Sequence, residues 1–208
     1  MFKRILARVS AFRRDESGAS AVELSLLLPF LLFSFLGVNT LADAQRTSIE
    51  VAKTASTVGD LVSRVPRVDE ATLDGIFDAA DAMLGPQLAP TLEMYAAGVE
   101  MKQNGDGTPK MEVLWVRHTG NLTGRFCNRR PIVGQNLRDA RVPRRLKQMK
   151  GQFFVYVAAK LEKAPLFGDG IINLTNGTGK LNHEYRNMFL TRNELSTTCT
   201  GCSSQTSC

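Results

Sequence analysis

The hydrophobic and polar positions along the chain change period in successive stretches. Between Leu24 and Ala42 stand 19 residues without a formal charge, including Leu26-Leu27-Leu28 and Phe30-Leu31-Leu32-Phe33. A helix needs roughly 20 such residues to cross a bilayer core about 30 Å thick, so this run predicts a transmembrane helix. From Thr40 to Val65 the apolar set narrows to Val51, Ala55, Val58, Val62 and Val65, at alternating spacings of four and three. That spacing predicts a continuing helix with a narrow seam suited to one packing partner. Arg46, Glu50, Lys53 and Asp60 fall mainly elsewhere, and Pro66 stops the helix. A shorter acidic amphipathic helix is predicted from Asp69 to Leu84, with Leu73, Ile76, Phe77, Ala80 and Leu84 on one side. Asp69 and Glu70 suit its positive amino end, and Gly85-Pro86 closes it.

After Pro90 the period becomes two. Leu92 to Lys102 and Lys110 to His118 read as strands joined by Asn104-Gly105-Asp106-Gly107, with Met111, Val113 and Trp115 expected on one face of the second. A third strand alternates Phe153, Val155, Val157, Ala159 and Leu161 with Phe154, Tyr156, Lys160 and Glu162, and a fourth is expected from His183 to Thr191. The fold class is therefore α+β: a long amino-terminal helix, membrane-spanning in its first half, packed through its outer half on a small antiparallel sheet.

The net charge of +6 matters less than its placement. Lys3, Arg4, Arg8, Arg13 and Arg14 precede the apolar run, so the positive-inside rule keeps the amino end cytoplasmic and sends the chain after Asp43 across the membrane. A second basic stretch runs from Arg125 to Lys150 with Asp139 as its one acid, so the remainder of the chain is net acidic.

A secretory signal places its small-residue cleavage site after the apolar run, whereas here Gly18-Ala19 precedes it. A cut after Gly18 removes the basic leader and leaves the apolar helix on the mature chain. Glu23 then stands fifth in that chain, four residues and about 6 Å along a helix from a new ammonium on Ala19. A carboxylate at the centre of a membrane helix costs about 2.5–3.5 kcal/mol on insertion scales. Either the Ala19 ammonium neutralises Glu23, within one chain or between neighbours, or Glu23 lies at headgroup level and is solvated.

Gly18, Glu23 and the run from Leu24 to Val38 broken by Pro29 resemble type IV prepilin-like proteins, and more closely the TadE/TadG-like proteins of tight-adherence (Flp-type) pilus systems. Pro165-Leu166-Phe167-Gly168 is similar to the same pattern, and Leu24 stands where pseudopilins often carry an aromatic residue. The resemblance implies a pilin-like architecture and cleavage between Gly18 and Ala19 by a prepilin peptidase, with Glu23 serving cleavage or assembly. It divides the chain into a leader over 1–18, a transmembrane helix over 19–42, an extracytoplasmic domain over 43–196 and a cysteine-containing tail over 197–208. The implied protein is a single-pass inner-membrane pseudopilin, its carboxy-terminal domain periplasmic. It acts structurally in pilus assembly for surface attachment, touching other pilins or pseudopilins, the assembly platform and inner-membrane lipid. The alternatives are a minor pseudopilin of a type II secretion machine and a membrane-anchored extracytoplasmic enzyme or sensor domain.

Three further sets of residues carry candidate chemistry. Cys127, Cys199, Cys202 and Cys208 all follow the membrane run, which places an even number of thiols in an oxidising compartment. Three connectivities are open, and the favoured one joins Cys127 to a tail cysteine and pairs the other two. Arg129, Arg130, Arg138, Arg141, Arg144 and Arg145 form a candidate contact for anionic lipid, acidic subunits or another polyanion, or a plain solvated surface. Nucleic acid is disfavoured because no aromatic residue for base stacking stands between Cys127 and Gln152. His118 and His183 lack a metal-ligand spacing, and no HExxH, GxSxG or phosphate-loop pattern occurs, so neither a catalytic site nor a metal or cofactor is expected.

Overall fold

The computed structural model describes residues 17–65, 68–105, 107–119, 122–137, 150–168, 173, 177–191, 199–200 and 202. The chain falls into two compact units, Met1–Asp43 and Ala44–Cys208. One helix, α1 (Ser17–Arg64), carries both the apolar run and the seam. In the second unit the seam is a core stripe: Val51, Ala55, Val58 and Val62 are buried, and Val65 packs beside them. The next elements are β1 (Val68–Asp69) and α2 (Glu70–Leu84). Asp69 caps α2 by accepting from the Thr72 N–H at 2.7 Å, and hydrogen bonding from the Thr72 side chain first and its backbone second holds the Asp69 carboxyl below the ordinary value of 3.8. At the other end Gly85, at φ 76°, donates its N–H to the Asp81 carbonyl, a left-handed geometry that glycine adopts freely. Leu73, Phe77 and Ala80 are the buried face of α2.

The sheet is built from β2 (Leu92–Gln103), β3 (Pro109–Thr119), β4 (Phe153–Lys163) and β5 (Leu181–Leu190), in the order β3-β2-β4-β5 with every pairing antiparallel. Asn104 and Thr108 close the β2–β3 hairpin through a backbone bond of 2.9 Å and a side-chain bond of 2.9 Å. Because β3 and β4 flank β2 and both run against it, they are parallel to each other, and the chain between them must cross a face of the sheet. This crossover begins with the short helix α3 (Gly124–Asn128) and places Leu122, Phe126, Cys127 and Leu137 on that face, against Tyr95, Val113, Phe154 and Tyr156. It then runs along the β3 edge: the Gly134 N–H donates to Val113 O at 2.8 Å and the Leu137 N–H to Met111 O at 2.8 Å. The helices cover the opposite face, so β4 is buried on both sides from Phe154 to Leu161, a second cover that its alternating sequence does not announce.

One expectation is corrected. Met111 and Val113 share a face, but Trp115 is on the other. Gly98 pairs with Trp115 and Val99 with Val113, which leaves Leu114 as an extra residue in β3. A bulge of this kind reverses the facing of every later side chain in the strand. It turns the indole of Trp115 toward the helical side, directly over Gly98.

Two contacts seat α1 on the sheet. A Cβ at Gly59 would stand 2.1 Å from Phe189 Cε2, so the phenyl ring of β5 lies on bare helix backbone. One turn earlier, the Ser56 hydroxyl donates to the Tyr185 hydroxyl at 3.2 Å.

Candidate functional site

The first candidate is the amino-terminal part of α1. Its large side chains are exposed on all sides, Leu26 and Phe33 both at 72%. An 18-residue window of mean hydropathy 2.1 has none of its surface buried, so the helix is long and apolar enough to cross a membrane. Its polar side chains are satisfied by its own backbone: Ser25 Oγ donates to Val22 O at 2.8 Å, Asn39 Nδ2 to Phe35 O at 2.7 Å and Thr40 Oγ1 to Leu36 O at 2.9 Å. Such back-bonding is what a helix needs where no water reaches it. Pro29 sits inside the helix. Glu23 is exposed, and its carboxylate has no hydrogen-bond or ion-pair partner among the described residues. Gly18 and Ala19 lie in the first turn, where the amino-terminal N–H groups lack intrahelical acceptors.

The cysteines form a second set. Cys199 and Cys202 are joined in a disulfide, with Cα atoms 5.5 Å apart. Cys127, buried on the crossover side of the sheet, is also disulfide-bonded. Cys208 lies outside the described residues. Cys199 begins β6 (Cys199–Thr200), which pairs in parallel with β1, Val68 opposite Cys199. The tail is thus held against the connection between α1 and α2, and both bonded cysteines pack on the helical core.

Of the basic candidates, Arg129 is exposed and Arg130 half-buried just after α3. Arg138, Arg141, Arg144 and Arg145 lie outside the described residues. His118 lies in β3 and His183 in β5. Among the described residues, no group of three or more His, Cys, Asp or Glu side chains is placed to hold a metal.

Two charged clusters were not singled out from the sequence. Lys160, whose side chain is 8% exposed, reaches Glu162 at 2.7 Å and Glu93 at 3.4 Å. Glu93 in turn accepts from the Thr123 N–H at 3.0 Å and the Thr123 hydroxyl at 2.6 Å. Burial works against the charge on Lys160, but the bonds and charges of Glu162 and Glu93 outweigh it and raise its pKa above the ordinary 10.5. The cluster ties the start of the crossover to β2 and β4. Its sequence signal was a lysine at the position of a strand where its neighbours on the same face are Tyr156 and Ala158. The second cluster is Arg117 of β3, 12% exposed, which donates to both carboxylate oxygens of Asp74 at 3.0 and 2.8 Å and contacts Glu70 at 2.5 Å. It fastens α2 to the sheet. In each cluster one cation is held between two carboxylates, and the contacts tie separate elements of the domain together.

Comparison with protein-family models, curated proteins and solved structures finds no match.

Proposed function

We propose that the chain is a membrane-anchored structural subunit of the pseudopilin kind, acting in assembly of a tight-adherence pilus from the inner membrane. The observation that carries this reading is the single helix α1, whose uncovered apolar run carries Glu23 and whose later seam is the core stripe of an α+β domain. A helix of that design serves as both lipid anchor and domain scaffold. The unpartnered Glu23 supports the same reading, because a mature chain beginning at Ala19 supplies an ammonium one turn away. Glu23 also falls near the positive end of that shortened helix, where a carboxylate is favoured. Opening the Gly18–Ala19 bond for a peptidase disturbs the first turn alone, which has few hydrogen bonds to lose. The two ion clusters, each a cation shared by two carboxylates from different parts of the domain, serve as ties between elements and support a structural role.

Two measurements test the reading. Intact mass of the membrane-extracted protein, from cells with an active prepilin peptidase, is expected to begin at Ala19; a chain still beginning at Met1 overturns it. Glu23→Ala is expected to insert normally but to fail in piliation, with Glu23→Gln separating charge from hydrogen bonding. Normal piliation and attachment in both variants leaves Glu23 a solvated carboxylate.

A further inference from the structure

The disulfide-bonded cysteines stand in two different settings. Cys127 is 6% exposed and belongs to the buried cluster on the crossover face. Cys199 and Cys202 are half-buried at the margin of the helical core cluster, with Thr200 and Gly201 between them in sequence. Thiol–disulfide exchange begins when a thiolate touches a sulfur, so access separates the two settings. The half-buried pair offers surface to an attacking thiol in the folded chain, whereas Cys127 does so only when the core around it opens. Loop length acts in the same direction. A disulfide stabilises the fold by an amount that grows with the loop it closes, and linkage makes the fold protect the bond by that same amount. A bond that spans two residues therefore receives protection at the small end of the range.

The same bond sits on a weak piece of sheet. Strand β6 is two residues long and pairs with β1 apart from the four-stranded sheet, Val68 opposite Cys199 and Asp69 opposite Thr200. A ladder that short does not hold by itself, so the turn fixed by the bond is what keeps Cys199 against Val68. Strand β1 is also the link from α1 to α2. Val68 is 1% exposed and belongs to the helical core cluster, and Asp69 is the cap of α2. Opening the Cys199–Cys202 bond therefore loosens the cover of Val68 and the backbone at the start of α2. The four-stranded sheet and the contacts of Lys160 with Glu93 and Glu162 lie elsewhere and keep their geometry.

We propose that Cys199–Cys202 is a thiol-exchange switch, opened in the folded chain by a dithiol reductant, whose opening undocks β6 from β1. A thiolate of the dithiol attacks one sulfur of the pair; the Cys199–Cys202 bond breaks, a mixed disulfide forms, and the departing cysteine takes a proton from water. The second thiol of the reductant gives its proton to water and attacks the mixed disulfide, closing the reductant's own S–S bond and releasing the other cysteine, which is protonated in turn. Two electrons and two protons pass from the dithiol, which is oxidised, to the pair, which is reduced. The switch is independent of the pilus reading. The test titrates the oxidised full chain, purified in detergent under native conditions, with dithiothreitol; free thiols are trapped with N-ethylmaleimide and located by peptide mass. Cys199 and Cys202 are expected to be trapped together at a reductant concentration at least about tenfold below that which exposes Cys127. At that plateau circular dichroism is expected to be unchanged, amide exchange at Val68 and Asp69 to be faster by about tenfold or more, and reoxidation to restore the slow rate. Trapping of Cys127 at the same or a lower concentration, or trapping of the pair only as the chain unfolds, overturns the selective opening. A reduced pair with unchanged exchange at Val68 and Asp69 overturns the undocking.

Discussion

Gly98→Ala tests the bulge and the core at once. In an open strand position, alanine for glycine is slightly favourable, by about 0.4–1 kcal/mol, because it restricts the unfolded chain. At Gly98 the new Cβ would stand 2.1 Å from Trp115 Nε1, 2.5 Å from Cε2 and 2.7 Å from Cδ1. Ordinary contact begins near 3.4 Å, so the indole must shift by more than an ångström. It has little room: Trp115 is 3% exposed and belongs to the same buried cluster as Val51, Phe77 and Val157. Overpacking of this kind costs about 1–3 kcal/mol, and the upper half of that range is expected because the clash involves three ring atoms.

Trp115 is the chain's one tryptophan, so its emission reports this position directly. In urea unfolding of the detergent-solubilised protein, with a slope of about 2 kcal/mol/M, a loss of about 2 kcal/mol lowers the midpoint by about 1 M. The folded variant is also expected to emit at longer wavelength than the parent. Trp115→Phe, which removes the clashing ring edge, should recover part of the Gly98→Ala loss when the two are combined, measured against Trp115→Phe alone and followed by circular dichroism. A midpoint at or above the parent's, with unchanged emission, would refute the bulge and the face assigned to Trp115.

Gly59→Ala and Gly75→Ala should change stability in opposite directions: both sit in helices, where alanine gains about 0.8–1 kcal/mol, but only Gly59 has a ring within 4 Å of the new methyl. Thermal unfolding should therefore rise for Gly75→Ala and fall for Gly59→Ala; a rise in both removes the Phe189 contact. Lys160→Met leaves Glu93 and Glu162 facing a buried apolar group and should cost about 3 kcal/mol in urea unfolding, the low end for a broken buried pair because Thr123 still bonds Glu93. Since its folded pKa is raised, the stability from Lys160 is fully present below pH 10.5 and is lost as pH climbs through the folded value. Lys160→Met should accordingly flatten the alkaline limb of a stability profile, and an unchanged limb would count against the cluster. Replacing both Cys199 and Cys202 by serine opens a loop of a few residues and should cost about 2 kcal/mol, read as a lower midpoint and faster amide exchange at Val68 and Asp69; unchanged exchange there would mean that β6 holds without its bond.

The parts of the fold legible in the sequence are those set by local spacing. Val51, Ala55, Val58 and Val62 announced the core stripe of α1 because helical periodicity is written within one element, and Asp69 and Gly85 marked the ends of α2 by capping chemistry. The bulge was hidden because Leu114 is apolar, so Met111, Val113 and Trp115 kept an apparent period of two through an extra residue. The second cover of the sheet was hidden for a different reason. Leu122, Phe126, Cys127 and Leu137 follow no regular spacing, and their burial is decided by strand order, which makes β3 and β4 parallel and forces a crossing. Of the candidate site, Glu23 stood out by charge against its apolar surroundings. Lys160 did not, because a lysine in a strand reads as a solvent-facing residue until the chain that buries it is placed.

The proposed anchorage also accounts for how a carboxylate is tolerated in such a helix. Nine large side chains from Leu24 to Phe35 are 52% to 72% exposed. Burying a side chain of this size is worth about 1.5–3 kcal/mol, so leaving half or more of each in water forgoes on the order of 10 kcal/mol. That equals the whole stability of an ordinary domain, about 5–15 kcal/mol, and no packing among the described residues supplies it to these side chains. Lipid does, and against such a gain the insertion cost of Glu23, about 2.5–3.5 kcal/mol at the bilayer centre, is a minor loss that position near the helix end reduces further. Glu23 can thus be retained in the anchor without threatening insertion, free to be neutralised by an ammonium that appears only after the leader is cut. The same comparison explains why Glu23→Ala is expected to spare insertion: removing a small cost from a large gain leaves the anchor in place and changes only what the carboxylate can meet.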